Sequence, residues 1–269
     1  MKNLLITALF TGITFSMCAQ EDTLKKGYEL RGKEKYGYIV SKDDKKTEGI
    51  VKLMGTKTTP WVNQQKVKFV AKEDLNASKK KQKFDKLDVD DLKEYVAYES
   101  DSKERHFRLI NYTNKNESAK STTVTDLAGK SKTLKKSSIS DHMAEVITDG
   151  KITMYRLYDY PTPIDAGSKD VHLLQNEEQN IIDNPTLLYQ KGDNKVKELH
   201  IADIKGLVKD CKTVSDKLAA GKYSSYNPAK EEKPQSELDK MIKHKLDVVG
   251  NQIIAVGTEV FSDYNTNCQ

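Results

Sequence analysis

The residues of this 269-residue chain best placed to do chemistry are two cysteines and a scattered set of ionisable and tyrosine side chains. Cys211 and Cys268 are the two thiols left if the first twenty residues, which hold Cys18, are removed. In an oxidising compartment such a pair forms a disulfide. Bridging their 57-residue separation would be worth roughly 4 kcal/mol in the chain-entropy treatment. The alternative is that Cys211 is a small apolar helix residue and Cys268 a terminal thiol.

Acid–base chemistry would fall to His106, Asp141 and His142, which are ionisable and adjoin strand-like runs, as a dispersed hydrolase or transferase site. The five histidines (106, 142, 172, 200 and 244) are too far apart for local metal-ligand spacing. Asp88, Asp90 and Asp91 form an acidic knot without the glycine and distal glutamate of a calcium loop. The chain has no Gly-x-Ser-x-Gly elbow, no His-Glu-x-x-His pair, no Gly-rich phosphate loop and no Cys-x-x-Cys. No catalytic residue, metal or cofactor is implied.

Tyrosine is the abundant aromatic, thirteen against one tryptophan. Tyr155, Tyr158 and Tyr160, close together on one strand, are the candidate row for contacting a carbohydrate or peptide, or else for packing. The lysine clusters Lys79–Lys81 with Lys83, and Lys130, Lys132, Lys135 and Lys136, either face an anionic surface or are simply solvated. Neither is interleaved with aromatics as a nucleic-acid platform would be, so no nucleic acid is expected as partner. Charged residues make up 32% of the chain with both signs interleaved, and the net +5 falls to +4 without Lys2, a setting for solubility.

The first residues, MKNLLITALFTGITFSMCAQ, have the layout of a secretory signal peptide over residues 1–19: a positive start, an uncharged run from Leu4 to Met17, and small residues at Cys18-Ala19. The run is too short for a membrane helix, which takes about 20 residues, and no later stretch supplies a transmembrane span. Cys18 offers a second outcome, a lipoprotein, although Met17 stands where a lipobox has a small residue.

The remaining elements must position these side chains. Residues 20–200 read as a β-rich body. KYGYIVS and TEGIVKLM flank Lys42–Lys46 as a hairpin, and WVNQQKVKFVAK, EYVAYES and RHFRLINYT continue the alternation. Asp149-Gly150 predicts a type I′ turn between two strands, and Gly192-Asp193-Asn194 another turn. A short helix is expected around Phe84–Leu92, and a mobile excursion over Asn114–Asp141, which holds few large apolar residues.

Residues 201–269 read as helical. Ile204, Leu207, Val208, Cys211, Val214 and Leu218 share one helix face behind an Asp203 cap, and Gly221 ends the pattern. A second stripe runs from Ile242 to Val260 behind Ser236, as one kinked helix or two broken at Gly250. The fold expected is α+β: an antiparallel sandwich or partly open barrel followed by a helical layer.

Gly49-Ile50-Val51 in the early hairpin, Gly150-Lys151 with Met154-Tyr155 in the central one, and Asp210-Cys211 late in the chain resemble the pattern of a group of exported Bacteroidota proteins. Met154 stands where that group has leucine, and Arg156 intervenes before Leu157. The resemblance implies export and a β-rich body, and brings no activity with it. The function expected is that of an exported cell-envelope or extracellular protein that binds or scaffolds. Its partner would be an envelope protein or polysaccharide. An envelope hydrolase or transferase is the other reading. Intact-mass measurement of exported protein should show a chain starting at Gln20, whereas an acylated Cys18 at the N-terminus would show a lipoprotein.

Overall fold

The computed structural model describes residues 28–76, 81–88, 91–99, 103–112, 122–125, 131–134, 140–161, 171–226 and 249–268. The leader with Cys18, the lysines at 79–80, 130 and 135–136, Asp90, His244 and residues 236–248, where the second helical stripe was expected to begin, lie outside them. The described strands are β1 (Glu34–Ser41), β2 (Lys46–Leu53), β3 (Lys66–Ala71), β4 (Asp85–Asp88), β5 (Leu92–Tyr98), β6 (Glu104–Tyr112), β7 (Thr122–Thr125), β8 (Ser131–Leu134), β9 (Ser140–Thr148), β10 (Ile152–Leu157), β11 (Thr186–Lys191) and β12 (Lys197–Glu198). β7 and β8 pair with each other, and the other ten form one antiparallel sheet. Their order across it is β12-β11-β10-β9-β6-β5-β1-β2-β3-β4, so the sheet is open, with β12 and β4 at its edges. The α+β class holds, as one continuous sheet that does not close into a barrel.

One local expectation changes. Within Phe84–Leu92, Asp85–Asp88 is strand β4, where Lys86 and Leu87 pair with Lys68 and Val67 of β3, and Leu92 opens β5. Its alternation of Leu87 inward against charged neighbours has period two, which a helix cannot use. Within Asn114–Asp141 the described residues are paired strand, with β7 against β8 and β9 starting at Ser140.

Side-chain alternation sorts the core onto two faces. On one face of β2, β3, β5, β6 and β9 lie Val51, Phe69, Tyr95, Phe107 and Met143, with Tyr95 and Phe107 stacked 4.6 Å apart. The 3-10 turn Pro60–Gln64 packs beside them, and Tyr95 Oη donates to Asn63 O at 2.6 Å. Further along the same face, Ile152, Met154 and Leu187 meet the helices. The opposite face carries Ile110, Tyr112, Ala144, Tyr155, Leu157 and Leu188.

Four α-helices are described: α1 (Val171–Asp183), α2 (Ile201–Leu207), α3 (Lys212–Ala219) and α4 (Val249–Asn267). The expected single helix through Cys211 is two. His200 is the cap residue of α2 and Asp203 lies in its first turn, with the His200 Nε2 at 3.1 Å from its carboxylate. The break follows from Lys191 and Asp210. Lys191 Nζ caps Leu207 O at 2.6 Å and holds the Asp210 carboxylate at 2.8 Å, while Tyr264 Oη donates to the same carboxylate at 2.9 Å. Asp210 is thereby drawn out of helical register, and Cys211 becomes the cap residue of α3. Gly221, at φ 63°, closes α3: its N–H bonds Leu218 O and the Lys222 N–H bonds Lys217 O, a Schellman ending.

From Val249, α4 runs unbroken through Gly257. A Cβ at Gly257 would lie 2.8 Å from the Met154 sulfur, so this glycine lets the helix close onto β10. Val256, Val260, Phe261 and Tyr264 are all buried against the sheet and α2–α3. No helix among the described residues is long and apolar enough to cross a membrane.

At the end of α4 the Cys268 sulfur reaches that of Cys211 at bonding distance, with Cα atoms 5.9 Å apart, within the range a disulfide needs. Thiol titration of unfolded, unreduced protein should therefore find neither Cys211 nor Cys268 reactive. Cys211→Ser should lower the melting temperature by roughly 10 °C. Two titratable thiols would contradict the bridge.

Candidate binding cleft

The structure disperses the acid–base candidates. His106 and His142 face the same side on neighbouring strands, but His142 pairs with Ile110, four residues along β6 from His106, a separation of about 13 Å. Asp141 pairs with Asn111 and points to the other face, where it accepts from the Asn111 amide at 3.1 Å. The three make no common site. Alternation along the strand is the reason: adjacent residues 141 and 142 cannot share a face.

The tyrosine row separates in the same way. Tyr155 is buried on the cleft-bearing face and donates to Gln190 Oε1 at 3.0 Å. β10 ends at Leu157, and Tyr158 turns into a separate cluster with Trp61 and Ile181, which Tyr160 flanks. Gln64 holds Tyr158 there: its amide donates to Tyr158 O at 2.8 Å and accepts from the Tyr158 N–H at 2.6 Å, as a neighbouring strand would. Only Tyr155 of the three contributes to the cleft.

That cleft is lined from β6, β10, β11, the turn after β11 and the edge strand β12, and has a volume of about 680 Å³, within the range of about 300–1,000 Å³ typical of small-ligand sites. Ile110, Tyr112, Tyr155 and Val196 form its floor and one side. Arg108, Gln190, Asn194, Lys195, Lys197, Glu198 and His200 supply the polar rim. Small Ala144, fully buried between Arg108 on β6 and the β10 residues, leaves room above the sheet. At one end Tyr112 Oη donates to Glu198 Oε1 at 2.7 Å, joining β6 to the edge strand β12. Burial, with the Glu198 carboxylate as hydrogen-bond partner, pushes the Tyr112 phenol well above its ordinary range, so it stays a neutral donor.

A half-buried charge cluster fixes the other end. Glu94 on β5 stands directly opposite Arg108 on β6. Arg108 donates from Nε to Glu94 at 3.1 Å and, through Nη1 and Nη2, to both Asp149 oxygens at 3.0 and 2.8 Å. Tyr38 Oη donates to the second Glu94 oxygen at 2.9 Å, and His106 Nε2 lies 3.0 Å from Glu94. Burial alone would raise the Glu94 carboxyl, but His106, Tyr38 and Arg108 together hold it at about 2. Asp149 is opposed by burial and held low by Arg108 and Thr153.

The Asp149-Gly150 turn is built to serve this cluster. Gly150 has φ 145° and Asp149 is not at positive φ, so the turn is not type I′. Asp149 is committed to Arg108, and the turn's backbone is completed from outside by Asn265 of α4. Its amide donates to Asp149 O at 3.1 Å and Ile152 O at 2.9 Å, and accepts from the Ile152 N–H at 2.9 Å. A side chain at Gly150 would lie 2.6 Å from Asn265.

Sequence reasoning missed Glu94, Arg108, Tyr112, Gln190 and Glu198. Their only signal was polar residues alternating with apolar ones inside strong strands, which ordinarily marks a solvated face. Among the described residues no group of three or more His, Cys, Asp or Glu is placed to hold a metal. No protein-family model, curated protein or solved structure matches this chain.

The Glu94 carboxyl sets a pH dependence. Its folded value of about 2 lies below the ordinary 4.5, so its stabilising contribution is complete above pH 4.5 and is lost as pH falls towards 2. Glu94→Gln should cost on the order of 2 kcal/mol at pH 7 and flatten the acid limb of a urea-midpoint profile. An unchanged acid limb would show that Glu94 is not held as described.

Proposed function

We propose that this is an exported protein of the cell envelope or extracellular space that binds or scaffolds rather than catalyses, and that the cleft between β6 and β12 is the surface it binds through. The observation that carries the reading is the cleft itself, an apolar floor with hydrogen-bonding groups fixed around it on paired strands. Sites of that make-up take ligands by shape with a few orienting polar groups. The leader-like N-terminus and the Cys211–Cys268 juxtaposition support an oxidising, exported setting. The likeness to exported Bacteroidota proteins accords with it.

The hydrolase or transferase reading loses its residues, because His106, Asp141 and His142 do not converge. The polar groups around the cleft are also poorly suited to proton transfer. Tyr112 and Tyr155 are held as neutral phenols, Arg108 is committed to two carboxylates, and Glu198 already accepts a hydrogen bond. An envelope polysaccharide or protein is the partner proposed.

Saturation-transfer NMR of the mature protein with fractionated envelope extract tests this reading. Wild type should give transfer to at least one fraction, and Val196→Trp, which fills the cleft from its half-buried wall, should abolish it while leaving the melting temperature within about 2 °C. Transfer that survives Val196→Trp would place binding elsewhere.

A further inference from the structure

We infer that the cleft takes an extended segment of a partner protein as an added strand between β6 and β12, with apolar and acidic residues alternating along it; the inference rests on the cleft being the binding surface. The first argument is unspent backbone. β5 leaves β6 after the Glu94–Arg108 pair, and among the described residues nothing pairs with 109–112 on that side, while β9 holds the other. β12 pairs with β11 alone and is an edge of the sheet. Both free edges line the cleft, through residues 108–112 and 194–198. The Leu109 side chain packs on the opposite face, so this residue lines the cleft through its backbone.

In an antiparallel ladder the backbone groups of alternate residues point to alternate sides. The bond from the Glu99 N–H to Lys103 O fixes the phase of β5 against β6, and that phase turns the N–H and C=O of Asn111 to the vacated side. The bond from the Leu199 N–H to Leu187 O does the same for β12, and turns those of Val196 and Glu198 outward. Among the described residues these backbone groups have no partner.

Two conditions decide whether one strand can join both edges. The first is direction. Four antiparallel steps lead from β6 through β9, β10 and β11 to β12, so β6 and β12 run the same way and one strand can lie antiparallel to both. The second is face. A strand paired on both sides offers alternate residues to each neighbour, so the pairing residues of its two neighbours must carry their side chains on opposite faces. They do. Asn111 points away from the cleft towards Asp141, whereas Val196 packs on the cleft face and Glu198 stands opposite Leu188 of that face. An added strand needs its neighbours about 10 Å apart, two strand spacings, and the Tyr112–Glu198 hydrogen bond keeps β6 and β12 within the reach of two side chains.

The same alternation sets the chemistry of the segment. Its residues opposite Val196 and Glu198 point inward, over Ile110, Tyr112 and Tyr155, where apolar side chains fit. Its residues opposite Asn111 point outward, beside Lys197. Lys195 and Lys197 are exposed and form no ion pair among the described residues, and cross-strand pairing with them favours Asp or Glu at the outward positions. Main-chain bonds along both edges supply affinity, and the alternating side chains supply selection.

The test is a fluorescence-anisotropy titration of the protein with labelled synthetic octapeptides carrying Val, Leu or Ile at every second position and Glu, Lys or Ser between. At least one Glu peptide should bind about tenfold or more tighter than its Lys counterpart, and Lys195→Ala/Lys197→Ala should remove the difference. N-methylation of alternate backbone nitrogens in that peptide, in either set, should weaken binding about tenfold or more. Val196→Trp should abolish binding. Unchanged binding of both methylated peptides, or no binding of any peptide while Val196→Trp-sensitive transfer to envelope fractions persists, would overturn the added strand and leave the cleft standing. A loss from one methylated set alone would overturn pairing with both edges, and equal affinity of Glu and Lys peptides would overturn the acidic pattern. A dimer of the protein alone that Val196→Trp dissociates would give the gap to a second copy and overturn the partner segment. A peptide that binds Val196→Trp as well as wild type would overturn both the strand and the cleft.

Discussion

A hydrogen bond from Tyr112 to Glu198 joins two strands that have three others between them. In a flat sheet with strands about 4.8 Å apart, β6 and β12 would lie about 19 Å from each other, beyond the combined reach of a tyrosine and a glutamate. The contact exists because this half of the sheet curls towards the face that carries Ala144, Tyr155 and Leu188. Every property of the cleft follows from that curl. It brings the turn after β11 over the sheet, sets Val196 opposite Ile110, and turns a row of ordinary strand residues into a concave surface.

The convex side of the same curl is where the helices sit. Met154, Ile152 and Leu187 are buried against α2, α3 and α4, and Gly257 lets α4 come close enough to cover Met154. The end of α4 then does three things within about one helical turn. Tyr264 and Lys191 hold Asp210, Asn265 completes the 149–152 turn, and Cys268 meets Cys211. Through Asp149 the second of these reaches Arg108 on the cleft face. The C-terminal helix therefore orders a residue on the side of the sheet it never touches, by way of the hairpin that links the two faces.

How much of this the sequence displayed depends on the range of the interaction. The Lys42–Lys46 hairpin, the strands around Tyr95 and Phe107, and the Gly221 stop are local patterns of alternation and turn chemistry, and they appear where the residues put them. The break at Asp210 was hidden because its cause, Lys191, lies nineteen residues away and on a strand. The Asp149-Gly150 turn was placed correctly but given the wrong geometry, because its geometry is set by Asn265, more than a hundred residues later. The site was the least legible part. Glu94, Arg108 and Asp149 come from three segments and become a cluster only through strand register, and the tyrosines singled out by proximity in sequence were divided between two faces by alternation. The sulfurs of Cys211 and Cys268 were the exception, since two thiols beyond the first twenty residues leave one pairing.

The proposed function depends on the concave face being where the partner sits. The most direct measurement is a backbone NMR titration of the protein with an envelope fraction that it retains. Shifts concentrated at Ile110, Tyr112, Gln190 and the 194–198 segment, with α4 and β1–β4 unmoved, are the result expected. Shifts confined to the helical layer or to β1–β4, with the cleft silent, would contradict it.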